Sequence, residues 1–348
     1  AARQVYAFAT AARLGWSGPA EEAFQHALSF LLNRHVAADG KVIPRLDASG
    51  RPGEAYLDLY DCAFVMFALA HAKRHRPVHQ ALEPRARAVL SRLTSEGLHP
   101  EAGYEDGEIL RSNPHMHLLE AALEWIELAD DPGPWEQLAQ EIVVLCQHRF
   151  IDPETGAIKE LFDKSWKPLF NGQEDAIEPG HQFEWAWLLL RWEERHPDNA
   201  LWRRAVHLIE LGQTHGVLPR TGLAVSRLTP ALLVADPIAR LWPQTERITA
   251  LARRANDADN AWDLEADETA LTEASAGLLR FLDHPLPGSW WENIDATGLP
   301  LQEPARTSSL YHIMGAADSL VAYCAQQEKG RPDTALPAGH NTLKPGLA

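Results

Sequence analysis

The sequence predicts an all-α protein whose helices pair into hairpins and close into a double-layered ring. Three observations carry this expectation. Helical pattern covers most of the 348 residues, at 2–14, 20–36, 56–76, 80–95, 114–130, 133–149, 179–196, 198–214, 242–256, 262–282 and 308–327. Arg3, Tyr60, His117, Phe183, Glu246 and His312 recur at corresponding points, spaced by 57, 57, 66, 63 and 66 residues. A period near sixty, seen six times, marks an array of one repeated unit. Finally, the links alternate between short and long.

The short links, such as Gly15-Trp16-Ser17-Gly18-Pro19 and Asp130-Asp131-Pro132-Gly133-Pro134, suit antiparallel helix pairs. The long ones, 37–55, 150–178, 215–241 and 283–307, contain glycine-turn signals such as Asp152-Pro153-Glu154-Thr155-Gly156 and Asp295-Ala296-Thr297-Gly298. Short alternating runs flank these signals, so small β-hairpins are expected there. The runs at 61–70 and 183–190 are apolar nearly all round, as an enclosed inner helix requires, whereas 198–214 carries charge on one side, as an outer helix does. Six inner and six outer helices would need twelve segments, and eleven are legible. The first hairpin is therefore expected to lack its leading helix, one preceding residue 1. Residues 1–330 are expected to form one barrel domain, and 331–348 a C-terminal tail.

Three inner helices open with a histidine. In Asn113-Pro114-His115-Met116-His117, Asn113 suits the cap, Pro114 the first helical position, and His117 the first turn. In Glu178-Pro179-Gly180-His181-Gln182-Phe183-Glu184-Trp185 the same places fall to Pro179 and His181. In Thr307-Ser308-Ser309-Leu310-Tyr311-His312 either serine can cap, and His312 follows. The helix dipole disfavours imidazolium at such positions, so all three rings are expected to be neutral and able to accept a proton. A closed ring brings these N-termini to one rim, where Arg3, His117, His181, Glu184, Glu246 and His312 face one cavity.

Each candidate has an ordinary reading beside the functional one. Glu184, three residues after His181, either orients that ring, holds a sugar hydroxyl, or merely complements the helix start. Glu246, just after Pro243, has the same readings. Arg3 opens an apolar inner helix, where an unmatched charge is costly and an oxygen-rich ligand would relieve it. Trp185 and Trp291 are candidate walls against a sugar ring or ordinary packing. His115 and His117 have the H-x-H spacing of metal sites, but i and i+2 diverge on a helix, so no metal is expected.

Composition excludes other classes. A net charge of −16 without a basic run argues against nucleic acid and anionic membranes. No apolar run approaches the ~18 residues that a membrane span needs. Cys62, Cys146 and Cys324 lack the spacing of a metal site and are too few for a disulfide framework, so a cytoplasmic location is expected. Gly-rich phosphate loops and serine nucleophile elbows are absent.

The motifs Arg3-Gln4-Val5-Tyr6, Asn113-Pro114-His115-Met116-His117-Leu118-Leu119-Glu120-Ala121, Glu178-Pro179-Gly180-His181-Gln182-Phe183-Glu184-Trp185, Trp290-Trp291-Glu292 and Leu310-Tyr311-His312 span nearly the whole chain. Together they resemble the N-acylglucosamine 2-epimerase superfamily, which includes cellobiose 2-epimerases, mannose isomerases and the sulfoquinovose isomerase group. The resemblance implies an (α/α)6 barrel. It also implies that His181 and His312 handle the proton at sugar C2, that Glu184 supports the histidines, and that Arg3 lies near the C1 and C2 oxygens. His117 matches a ligand-binding histidine; Asn113, Glu246, Trp185 and Trp291 complete the expected sugar contacts. Where the sulfoquinovose group has an extra arginine, this chain has Asn171, which argues against a charged substrate. No nucleotide cofactor is implied, the partner is a small-molecule sugar, and the assembly is expected to be a homodimer.

The chemistry suits these residue types. Opening the sugar ring acidifies the C2 proton, a neutral base removes it, and a cation stabilises the cis-enediolate. Returning the proton to C1 gives a ketose; returning it to the opposite face of C2 gives an epimer. The expected function is a metal-independent aldose–ketose isomerase of the mannose/fructose type, with a 2-epimerase as the alternative. Two further rivals are an (α/α)6 glycoside hydrolase using Glu184, Glu246 or Asp61, and a non-catalytic sugar-binding protein.

Overall fold

The computed structural model describes residues 1–53, 58–95, 109–169, 176–256 and 264–330. The tail 331–348 and Asn171 lie outside the described residues. All eleven expected helices form: α1 (Ala2–Arg13), α2 (Ala20–Phe30), α3 (Leu59–His75), α4 (Leu82–Ser95), α5 (Ser112–Leu128), α6 (Gly133–Leu145), α7 (Pro179–Glu193), α8 (Asn199–Gly216), α9 (Leu241–Ala255), α10 (Leu264–Leu282) and α11 (Ser309–Gly330). Helix α1 packs on α3, α3 on α5, α5 on α7, α7 on α9, α9 on α11, and α11 returns to α1, so the inner layer closes. Outside it, α2, α4, α6, α8 and α10 each pack on the inner helix that precedes them. Because the short links follow the inner helices, the hairpins run inner-then-outer. Among the described residues the helix without an outer partner is therefore α11, not the first one, and Val321 on α11 is correspondingly exposed.

The inner helices are apolar because both faces are covered. In α3, Cys62 through Ala70 are all buried, and in α7 every residue from Pro179 to Leu190 is. Each fully buried Leu or Phe contributes about 1.5–3 kcal/mol relative to exposure. Gly212 on α8 shows how close the layers approach: a Cβ there would lie 2.6 Å from the Phe183 ring. Phe183 therefore faces outward. The residue of α7 at the repeat point of His117 and Glu246, sixth in its helix as they are, is Glu184.

The long links form small antiparallel pieces, as their turn signals predict. Strand β1 (Leu110–Arg111) pairs β2 (Leu161–Phe162), β3 (Arg227–Leu228) pairs β4 (Val234–Asp236), and β5 (Ala239–Arg240) pairs β6 (Asn293–Ile294). Two side-chain amides clasp the links to the barrel. Gln182 brackets Ile158, accepting from its N–H at 2.8 Å and donating to its carbonyl at 3.2 Å. Gln244 does the same at Ala224, at 2.9 and 2.8 Å. These clasps fix the loops above the inner N-termini, where the site lies.

Helix starts differ in detail from the sequence reading. Asp58 caps α3, accepting from the Asp61 N–H at 2.9 Å, and Pro179 opens α7. Asn113 is not a cap: α5 begins one residue earlier, at Ser112, which leaves the Asn113 carboxamide available to the cavity. Ser309 donates to Glu292 at 2.9 Å.

Candidate active site

At the rim formed by the inner N-termini lies a cavity of about 230 Å³. Its walls include Arg3 of α1, Tyr60 of α3, Asn113 and His117 of α5, His181 and Glu184 of α7, Trp242 of α9 and His312 of α11. Side chains separated by more than 300 residues thus converge, each from the first two turns of an inner helix. Glu246 sits immediately behind His312 and is 6 % exposed.

The two facing histidines are in opposite electrostatic states. His181 presents Nδ1 to Glu160 at 2.9 Å and Nε2 to Asn113 at 2.9 Å. Burial opposes its charge, but the carboxylates of Glu160 and Glu178 outweigh burial and lift its pKa to about 9. It is therefore an imidazolium, contrary to the neutral ring expected from the helix dipole: two buried carboxylates outweigh a half-charge that fades within one turn. An imidazolium donates from both nitrogens. Asn113 must then present its Oδ1 to Nε2, the oxygen that otherwise stays buried without a partner, which turns its NH2 group elsewhere.

His312 has its Nδ1 2.8 Å from Glu246 Oε1, and Glu246 Oε2 accepts from Trp187 Nε1 at 3.0 Å. Burial lowers the His312 pKa despite Glu246, and Arg3 and His181 add to the lowering. The neutral ring donates Nδ1–H to Glu246, leaving Nε2 with a free lone pair and no hydrogen bond to the described residues. Environments that push two titratable groups apart in this way assign the acid and the base.

Trp242 lies between them, its ring centroid 4.9 Å from that of His181 and 5.8 Å from that of His312. Gly180 makes the placement possible. A Cβ there would lie 2.4 Å from the Trp242 ring, so the Pro-Gly-His sequence is a packing requirement as well as a helix start.

The third histidine, His117, is 3 % exposed. Its Nδ1 is 3.2 Å from Glu120 Oε2 and 3.6 Å from Glu184 Oε1. Tyr311 donates to the other Glu120 oxygen at 2.5 Å. Burial raises Glu120 to about 8, and raises Glu184 well above the carboxylate range with help from Glu246 and Glu120. Burial and the nearby cations lower His117. These three side chains have ligand atoms within 4.8 Å of one another and are the group among the described residues that could hold a metal ion. Arg3 hydrogen-bonds to the Tyr60 hydroxyl, and its guanidinium lies 3.9 Å from the Phe64 ring centroid. Its buried Nε–H has no partner.

The structure brings together Arg3, Asn113, His117, His181, Glu184, Glu246 and His312. It does not bring Trp185 or Trp291 to the cavity. Trp185 is fully buried behind it, 5.6 Å from Phe150 between ring centroids. Trp291 donates to the Asp283 carbonyl at 2.8 Å and packs on His284, as a plug beneath its loop. Glu184 turns to His117; the carboxylate that orients His181 is Glu160, from the loop strand β2. His115 is buried with Nδ1 2.8 Å from the Arg111 carbonyl, on the side away from His117.

The sequence reading missed Tyr60 as a site residue, along with Glu120, Glu160, Trp187 and Trp242. Tyr60 already marked the repeat, and Trp242 immediately precedes Pro243 where Glu178 precedes Pro179. Glu160 carries no comparable signal.

The N-acylglucosamine 2-epimerase (GlcNAc 2-epimerase) family model matches residues 1–316. A mannose-6-phosphate isomerase of Rhizobium meliloti (strain 1021) is 39 % identical over 320 residues, covering 90 % of this chain and 82 % of that protein. Among solved structures, a D-mannose isomerase superposes with a TM-score of 0.80 at 20 % identity, covering 92 % of this chain and 86 % of the other. The cellobiose 2-epimerase of Bacillus thermoamylovorans B4167 gives 0.79 at 17 % identity, with the same coverage. Both likenesses show the barrel fold. The chain belongs to the N-acylglucosamine 2-epimerase family, and is an enzyme of its isomerase and epimerase kind.

Proposed function

We propose that the protein interconverts an aldose and its ketose, of the mannose/fructose type, through a cis-enediolate. One observation carries the preference for isomerase over epimerase. Both nitrogens of His181 are engaged, by Glu160 and Asn113, whereas Nε2 of His312 is free. Moving a proton between C2 and C1 on one face needs one carbon-directed base, and His312 has the lone pair for it. Epimerisation needs a second group aimed at the opposite face of C2.

In this reading His181 acts on oxygen. A ring oxygen competing with Asn113 for the Nε2–H takes the proton that opens the sugar. His312 then removes the C2 proton, Glu246 and Trp187 hold its tautomer, and the Arg3 Nε–H and the Asn113 amide face the developing negative charge on oxygen. His117, fixed through Nδ1 by Glu120, offers Nε2 to a sugar hydroxyl. The orphan Glu184 oxygen accepts from another. We assign protons rather than a metal to the His117–Glu120–Glu184 cluster, because Tyr311 already donates into it; dialysis against a chelator should leave the rate unchanged. The relative named mannose-6-phosphate isomerase and the fold neighbour named D-mannose isomerase support the sugar class.

A 2-epimerase is the second reading, since two imidazoles do flank one cavity. A hydrolase is less well supported, because Glu246 is committed to His312 and Trp187. The described cysteines form no disulfide and no described helix is long and apolar enough to cross a membrane; these fit a cytoplasmic enzyme. Incubation with mannose in D2O, followed by proton NMR, tests the assignment. Fructose appearing first supports isomerisation, and glucose appearing first supports epimerisation.

A further inference from the structure

The reaction cavity opens sideways into a second compartment of about 640 Å³. The two share Tyr60, Asn113, Glu178 and His181 as a common wall. At about 230 Å³ the reaction cavity falls below the ~300–1,000 Å³ usual for ligand sites, so a bound substrate has room to extend across that wall. The far side carries three arginines from three different links: Arg45, Arg111 and Arg227.

The carboxylates in the same compartment are largely committed elsewhere. Asp58 caps α3, Glu160 holds His181, and Glu178 lies 3.5 Å from Arg240. Asp61 remains, its pKa raised by burial and by Asp58. On the cationic side, Arg45 is exposed and makes no hydrogen bond or ion pair with the described residues. Arg227 is 40 % exposed, and its one ion pair, to Asp236, is long at 3.6 Å. Exposed arginines at the edge of a protein with net charge −16 do not arise from a generally basic surface.

We infer that this compartment receives an anionic group at the end of the sugar remote from C1 and C2, so that the substrate class is a hexose phosphate ester. The inference rests on the isomerase reading above and adds the identity of the substrate's far end. Guanidinium forks match phosphate oxygens, and a phosphate monoester carries about 1.5–2 negative charges at pH 7. The expectation drawn from Asn171, that the substrate is uncharged, concerned a single position; these arginines come from other links of the barrel.

The test compares mannose with mannose 6-phosphate, and fructose with fructose 6-phosphate, on the wild type, Arg45→Ala and Arg227→Ala. The expected result is a kcat/KM at least about tenfold higher for the ester, with the ester-to-free-sugar ratio falling about tenfold in each variant. Inorganic phosphate should compete with the ester in the wild type and compete more weakly in the variants. Equal or faster turnover of the free hexose, or a ratio unmoved by both substitutions, overturns the inference while leaving the isomerase reading intact. Turnover of neither sugar form removes the isomerase reading and the inference with it.

Discussion

Glu160 Oε2 meets Nδ1 of His181 at 2.9 Å, across 21 residues and between a loop strand and an inner helix. That contact makes the two cavity histidines unlike. Without it, His181 would be a second buried neutral imidazole; with it, the ring is a charged donor opposite a neutral acceptor.

Glu160→Gln should therefore bring the alkaline limb of the kcat–pH profile down from near pH 9 toward the ordinary imidazole value of 6.5. The same contact stabilises the fold below pH 6.5, and that contribution is lost as pH rises through about 9. Urea denaturation at intervals from pH 6 to pH 10 should show this loss in the wild type and a smaller one in the variant. A variant with an unmoved alkaline limb would separate Glu160 from the acid.

Glu246→Gln replaces a charged acceptor at His312 Nδ1 with a neutral one. The loss is about 1–1.5 kcal/mol of orientation and imidazolium stabilisation, or roughly tenfold in rate. It should fall on kcat rather than KM. The acid limb, set by His312 below its ordinary value, should move further toward low pH. A KM effect alone would recast Glu246 as a sugar contact.

Burial raises Glu120 from 4.5 to about 8. A raised carboxyl destabilises the fold progressively as pH climbs from 4.5 to about 8, because the unfolded chain ionises first. Glu120→Gln removes that penalty, so the variant should melt a few degrees higher than the wild type at pH 8.5 and close to it at pH 5. Thermal denaturation at the two values checks this. Glu120→Ala should destabilise at both, since it leaves a cavity and an unpaired Tyr311 hydroxyl.

Gly180→Ala places a methyl carbon against the Trp242 indole. Overpacking of this kind costs about 1–3 kcal/mol, and relief requires the indole to leave its place between the histidines. Activity should fall together with the melting temperature. Unchanged kinetics would show that the position of Trp242 is immaterial to the reaction.

Most of the barrel was legible because burial on both faces leaves a continuous apolar signature, and α3, α5 and α7 carry it plainly. The rim residues were legible where the repeat places a polar side chain in the first two turns of such a helix, as at Arg3, His117, Glu184, Glu246 and His312. Two kinds of feature were not. Partners delivered by loops, Glu160 above all, follow no helical period, so their pairing with His181 depends on how β2 is clasped. The tryptophans were misjudged because an indole near a motif in sequence says nothing of which side of the helix it occupies: Trp185, one residue after Glu184, points into the core, whereas Trp242 points into the cavity. The charge of His181 was misjudged for the same reason, since the dipole is local and visible while the opposing carboxylates are remote.

The most direct test of the account is the fate of the C2 proton of mannose in D2O, followed by proton NMR with wild-type protein and with His312→Ala at equal folded concentration. The account predicts that the wild type converts mannose to fructose, and that His312→Ala loses C2 exchange and conversion together, by at least about 10²-fold. C2 exchange persisting in His312→Ala at a rate near that of the wild type would contradict it.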